Sequence, residues 1–248
     1  MGRGCRGQPI FAHEVDRRHF ARVLHDVVET FNWKIVDWTL MPNHHHLLVK
    51  LSKPNLAAGM HRAHFLFGQS WNERHESTGH VMFRRYKSVA LRRPEAPARV
   101  LRYIDLNPVR AGLCDRPEQW AWGGFAANIG IQRTRGFHDP DLALRTMLPH
   151  VDDPVEARPL YAQSVYDRLD ATRGIGTAGD VRPSLDEIIV PGDLESVREA
   201  IDTWWYSLRR VAAHVGCNHS TLASWLRGDP SGRARRAFTT WAEQSPGA

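Results

Sequence analysis

Between His13 and Phe31 the chain reads HEVDRRHFARVLHDVVETF, with apolar side chains at Phe20, Val23, Leu24, Val27, Val28 and Phe31. Steps of three and four place them on one face, so a helix is predicted over 13–31. WKIVDWTL, at 33–40, is rich in aromatic and β-branched residues and predicts a strand. MPN follows as turn chemistry, and HHHLLVKL at 44–51 predicts the second arm of a hairpin. Residues 55–75 predict a second helix, broken by STGH. VMFRRYKSVAL, at 81–91, predicts a third strand, and a helix follows around 95–107. Pro108 disfavours helical backbone at Asn107, so this helix is expected to end there.

The order helix, strand, strand, helix, strand, helix predicts an α+β fold: a ferredoxin-like antiparallel sheet with helices packed on one face. That layout places a strand ahead of the first helix, and the glycine-rich MGRGCRGQPI does not predict one. From about residue 130 the pattern changes. GIQRTRGFHDPD reads as loop, 142–148 and 159–169 as helical patches, and RGIGTAGDVRPS as a linker. Short helices fill 184–243. The expected division is 1–130, an α+β domain; 131–183, helical and linker; and 184–248, a helical region.

Charge narrows the partners. Lysine and arginine number 33 against 27 acidic residues, a net of +6, which points toward a polyanion without identifying one. The three cysteines, Cys5, Cys114 and Cys217, form no CxxC, which excludes a zinc ribbon and gives no disulfide framework. No apolar run approaches the roughly 18 residues of a membrane span, and the N-terminus lacks an apolar signal core, so a soluble intracellular protein is expected.

Alternation along a strand puts His44 and His46 on one face and His45 on the other. Two imidazoles on one face supply half of a divalent-metal site, and equally suit hydrogen bonding to water or backbone near a turn. In VLRYIDLNPVRAGL, Tyr103 and Asn107 stand one helical turn apart on a shared face, where ordinary surface residues also occur.

Together LMPNHHHLLV, FRRYKS and YIDLNPVRAGL…RPEQWAW resemble the REP-associated tyrosine transposases, relatives of the single-tyrosine HUH transposases of small insertion sequences. The resemblance runs in order from about residue 7 to 126, and WNERH at 71–75 falls where that family has a similar helix end. It implies His44 and His46 as metal ligands, Asn107 as the third, Mg²⁺ or Mn²⁺ as the cofactor, and Tyr103 as the nucleophile. The implied activity cleaves and rejoins single-stranded DNA bearing REP-like hairpins through a 5′-phosphotyrosine link, in a cytoplasmic, nucleoid-associated bacterial protein. Arg84, Arg85 and Lys87 would track phosphates, and Arg102 and Arg110, flanking the tyrosine, would meet them too. Phe83, Tyr86 or Trp71 would stack on bases. Three features depart from the family: His45 replaces a bulky hydrophobe, WGGF at 122–125 replaces Trp-Ser-Ser-Tyr, and the first strand is missing.

In SLRRVAAHVGCNHSTLASWLRG, Ala212 and Gly216 sit where a helix-turn-helix needs a small residue and a turn. Leu208, Val211, Val215, Leu222, Trp225 and Leu226 supply an inner face, and Asn218 caps the second helix. His219, Ser220, Thr221, Ser224 and Arg227 would then face a major groove of double-stranded DNA, with Arg233, Arg235 and Arg236 close behind. The alternatives are a catalytically degenerate regulatory protein that only binds DNA, and a nuclease using water with Tyr103 structural. A monomer or a homodimer fits either, and no membrane partner is expected.

Overall fold

The structure, a computed structural model, describes residues 1–83, 85–173, 185–202, 208–228 and 232–243. The chain divides into two compact units, residues 1–87 with 91–180, and residues 88–90 with 181–248.

In the first unit the hairpin is the centre. Strands β2 (Trp33–Met41) and β3 (His44–Leu51) pair antiparallel, with Thr39 opposite His46 and Leu40 opposite His45. The glycine-rich N-terminus does contribute a strand: β1 (Gly2–Arg3) pairs with His44 and His45, giving the order β1-β3-β2. Glycine is required there. A Cβ on Gly2 would lie 2.5 Å from His45 Cε1 and 2.8 Å from His64 Nε2.

The strand expected over 81–91 is not regular. Its backbone runs beside β1, with Cys5 N donating to Val81 O at 3.0 Å and Phe83 N to Arg3 O at 2.7 Å. Among the described residues of this stretch, an isolated bridge between Gly4 and Met82 is the one strand pairing formed. The spatial order is still that of a ferredoxin-like sheet, with an irregular fourth edge.

The helices cover both faces of the sheet rather than one. Helices α1 (Glu14–Phe31) and α2 (Leu56–Arg74) pack on the face carrying His45, whose ring lies 4.8 Å from that of Phe20. Helix α3 (Ala96–Arg110) packs on the opposite face. This is why β2 is buried at every position except Lys34: an apolar run without polar alternation belongs to a strand covered on both sides. A bulge between Ile35 and Asp37 changes which side chains face where. Ile35 and Trp38 join Phe20 and Leu24 in the α1-side core. The consecutive Val36 and Asp37 both turn toward α3, Val36 packing with Leu101 and Asp37 meeting Asn128.

Helix α3 runs through Pro108 instead of ending at Asn107. Proline removes one amide donor, and with a single turn remaining that absence is tolerable. The turn is closed by Ala111 N on Asn107 O and Leu113 N on Pro108 O. The outer edge of β2 is capped by loops, with Leu40 N donating to Trp122 O and Asp139 N to Ile35 O. A short α4 (Phe125–Asn128) leads to α5 (Pro140–Met147) and α6 (Pro154–Arg173). Their Leu144, Tyr161 and Val165 share a core with Leu101 and Leu106 of α3, so this stretch buttresses the tyrosine helix. Each fully buried aliphatic or aromatic side chain there contributes about 1.5–3 kcal/mol.

Among the described residues the second unit is helical: α7 (Leu185–Ile188), α8 (Leu194–Asp202), α9 (Leu208–His214), α10 (His219–Arg227) and α11 (Gly232–Ala242). Val211, Ala212, Val215, Leu222 and Trp225 are buried, and Trp225 stacks on Trp241 at 5.7 Å. No described helix is long and apolar enough to cross a membrane.

Candidate active site

The hairpin and α3 bring together residues about sixty positions apart in the chain. The rings of His44 and His46 are 5.0 Å apart, edge to face, and the ring of Tyr103 lies 5.3 Å from that of His46. Asn107, one turn along from Tyr103, shares a side-chain hydrogen bond with His44. The guanidinium of Arg110 stands 5.1 Å over the Tyr103 ring. His45 is fully buried on the other face of the sheet, against α1 and α2, and has no access to this group.

Burial keeps the two imidazoles neutral. It pulls the pKa of His44 down to about 4, against the opposing hydrogen bond from Asn107, and holds that of His46 well below the ordinary histidine range. Neutral imidazole is the form that ligates a metal. His44 Nδ1 is 2.6 Å from Asn43 Oδ1, so the proton belongs on Nδ1 and the lone pair on Nε2. Among the described residues no three His, Cys, Asp or Glu side chains form a metal-binding group. Asn107 brings an amide oxygen to the side of the two imidazoles. Two nitrogens and an oxygen make a mixed set compatible with a divalent cation.

Behind the tyrosine lies a polar cluster that periodicity and motifs did not single out. Asp105, between Tyr103 and Asn107, accepts from the Tyr161 hydroxyl at 2.7 Å. Asn128 Nδ2 donates to Tyr161 Oη at 3.1 Å and to Asp37 Oδ1 at 3.3 Å. Asp37 and Asp105 are buried to 0% and 4% exposure, and Asp37 Oδ2 and Asp105 Oδ1 have no other donor. A proton held between the two carboxyls resolves this. Burial raises Asp105 to about 7, and burial together with the Asp105 charge raises Asp37 well above the usual carboxylate range. The cluster ties the middle of α3 to β2. An aspartate inside the apolar KIVDWTL was the one available signal. Gly124 of WGGF is explained here too: a Cβ there would collide with Asp37 Oδ1.

The remaining expected DNA contacts separate. Arg85 and Lys87 are exposed beside β1, and Arg84 lies outside the described residues. Arg102 is engaged elsewhere: its guanidinium donates to Ser164 Oγ at 3.0 Å on α6, because position 102 turns to the α6 side of α3 while Tyr103 turns to the sheet. Of the aromatics, Trp71 packs into the α1-side core and stacks on His75 at 4.2 Å, and Tyr86 packs beside Val23 and Met60. Phe83 is 49% exposed. In the second unit Asn218 caps α10 by accepting from Thr221 N at 2.8 Å. His219, Ser220 and Arg227 are exposed, while Thr221 and Ser224 are half-buried.

Residues 5–105 match the family model described as "Transposase IS200 like". No curated protein matches the chain. A solved structure described as a REP-associated tyrosine transposase bound to a REP hairpin is similar over 56% of this chain and 79% of its own, at 16% identity and a TM-score of 0.46. The family match takes in both histidines and ends two residues past Tyr103, so residues 5–105 of this chain are similar to the IS200-like transposases.

Proposed function

We propose that the first unit cleaves and rejoins hairpin-bearing single-stranded DNA with Tyr103 as its nucleophile. The observation that carries this reading is the meeting of Tyr103 with His46 at 5.3 Å, with Asn107 of the same helix bonded to His44. In the proposed step the Tyr103 oxygen attacks a backbone phosphorus in line. The bond from phosphorus to the 3′ oxygen breaks, Tyr103 keeps the 5′ phosphate, and the departing 3′ oxygen takes up a proton in place of the one the phenol released. The phosphodiester bond energy is retained, so the 3′-hydroxyl of another strand end can reverse the step and join DNA.

A free phenol ionises near pH 10, so the site must favour its anion. Arg110 stands over the ring as a fixed positive charge. His44, His46 and Asn107 would hold Mg²⁺ or Mn²⁺, which when bound neutralises charge on the phosphate. The REP-like hairpin is carried over from the family resemblance. Exposed Arg85 and Lys87 fit phosphate contacts, and the outward His219, Ser220 and Arg227 of α10 fit a helix-turn-helix reading duplex DNA.

Incubation of the full chain with end-labelled hairpin DNA and Mn²⁺, followed by denaturation, should give a covalent adduct. Tyr103→Phe should abolish the adduct and keep binding. DNA binding without an adduct in the wild type would identify a regulatory binder instead. Cutting by both proteins would identify a water-using nuclease.

A further inference from the structure

A cleft of about 820 Å³ opens on the first unit, away from the tyrosine. One wall is α1, where Val15, Arg18, Arg22 and His25 repeat at steps of three and four and so form one stripe. At 1.5 Å per residue the stripe spans about 15 Å. The other wall is the loop Gln132–Arg135. Gly136, at φ +84°, lets this loop close on α1: a Cβ there would lie 3.4 Å from His25. Four arginines, Arg18, Arg22, Arg133 and Arg135, therefore line one cleft with no acidic residue among its lining side chains. Glu14 stands beside it and is taken up by Arg18 at 2.7 Å.

These cations are not equivalent. Arg135 is fixed in place: it donates to Ala121 O at 3.0 Å and lies 4.1 Å over the Trp122 ring. Arg22 and Arg133 are exposed. No hydrogen bond or ion pair holds either of them among the described residues. A fixed guanidinium next to uncommitted ones is a geometry that receives several phosphates of one strand, since Arg presents a planar fork to phosphate. Because α1 covers the sheet face opposite α3, a strand lying here is held away from the reacting bond.

We infer that this cleft binds the sugar–phosphate backbone of the DNA outside the segment that is cut. The inference rests on the DNA-cleaving reading above and adds a second contact surface to it. An acidic protein segment is the competing occupant. DNA is favoured because four guanidiniums, two on α1 and two on the facing loop, line a cleft on the same unit that carries Tyr103, with no acidic side chain among them.

The test is fluorescence anisotropy of the full chain with labelled hairpin DNA in EDTA, so that no cleavage occurs, titrated with NaCl. The Arg22→Ala/Arg133→Ala double variant should bind more weakly, and its log K against log [salt] slope should flatten by about 2, near 1 for each phosphate no longer neutralised. Lys50→Ala/Lys53→Ala removes the same charge at exposed positions outside the cleft and should keep the wild-type slope. An unchanged slope in the arginine variant overturns the inference, as does equal flattening in both variants. A loss of poly-glutamate binding with the DNA slope intact would assign the cleft to an acidic protein and overturn it too. The DNA-cleaving reading fails separately. Tyr103→Phe should leave the slope untouched, and the arginine variant at saturating DNA should still form the adduct.

Discussion

Asp37→Asn isolates the carboxyl pair behind the tyrosine. In the folded chain Asp37 holds a proton and presents it to Asp105, while its other oxygen accepts from Asn128. Asparagine reproduces both roles, with an amide N–H in place of the carboxyl O–H. What changes is the proton count. In the unfolded chain Asp37 ionises near pH 3.9, whereas burial keeps it protonated in the fold far above that. A carboxyl whose folded pKa is raised contributes stability that is complete below its unfolded pKa and is lost as pH climbs toward the folded one. The decline is at most about 1.4 kcal/mol per pH unit for one proton. Asp105, raised to about 7, adds its own slope, but it is present in both proteins and cancels in the comparison.

The variant should therefore gain on the wild type by up to about 2.7 kcal/mol between pH 5 and pH 7. Residual unfolded-state structure makes a gain nearer half that a sound expectation. Native-state hydrogen exchange of the α3 amides at pH 5, 6 and 7 gives the opening free energy of this unit without contribution from the helical one. A wild-type-to-variant difference that stays constant within about 0.5 kcal/mol across the window would mean that Asp37 is ionised in the fold, and the shared proton would have to be abandoned.

Two further outcomes test neighbouring parts of the fold. Gly59→Ala on α2 places a Cβ against the Trp33 indole, which cannot retreat because its Nε1 donates to Asn55 Oδ1 at 2.8 Å. Overpacking of about 1–3 kcal/mol should exceed the roughly 1 kcal/mol gained in helix propensity, lowering the urea midpoint. His44→Ala should weaken Mn²⁺ binding to the DNA-free chain at least about tenfold by electron paramagnetic resonance titration. His45→Leu, on the other sheet face, should leave that binding unchanged.

How far the sequence carries depends on whether a feature is local. The stripe from Phe20 to Phe31 and the hairpin around MPN are local patterns, and α1, β2 and β3 appear within a residue or so of their expected bounds. The placement of His44 and His46 opposite His45 follows from alternation in an unbroken stretch of β3. β2 breaks the same rule. Counting by twos from Ile35 puts Asp37 in the α1-side core, where a carboxyl would have no partner; the bulge turns it to Asp105, and nothing in KIVDWTL marks where the bulge falls. The first strand was hidden by its own fitness for the site. A glycine argues against a strand by propensity, yet Gly2 is what lets β1 pass over the His45 ring, so two unusual features, the glycine-rich start and the middle histidine, compensate each other in space. Gly124 and Asp37 repeat the arrangement on the other face. In both pairs the odd residue is explained only by a neighbour about forty or more, or nearly ninety, positions away, a separation at which single-sequence patterns carry no signal. A substitution at either glycine therefore cannot be judged from its own strand or loop. Its cost is set by the histidine or carboxyl it uncovers, and through these by the position of the tyrosine helix on the sheet.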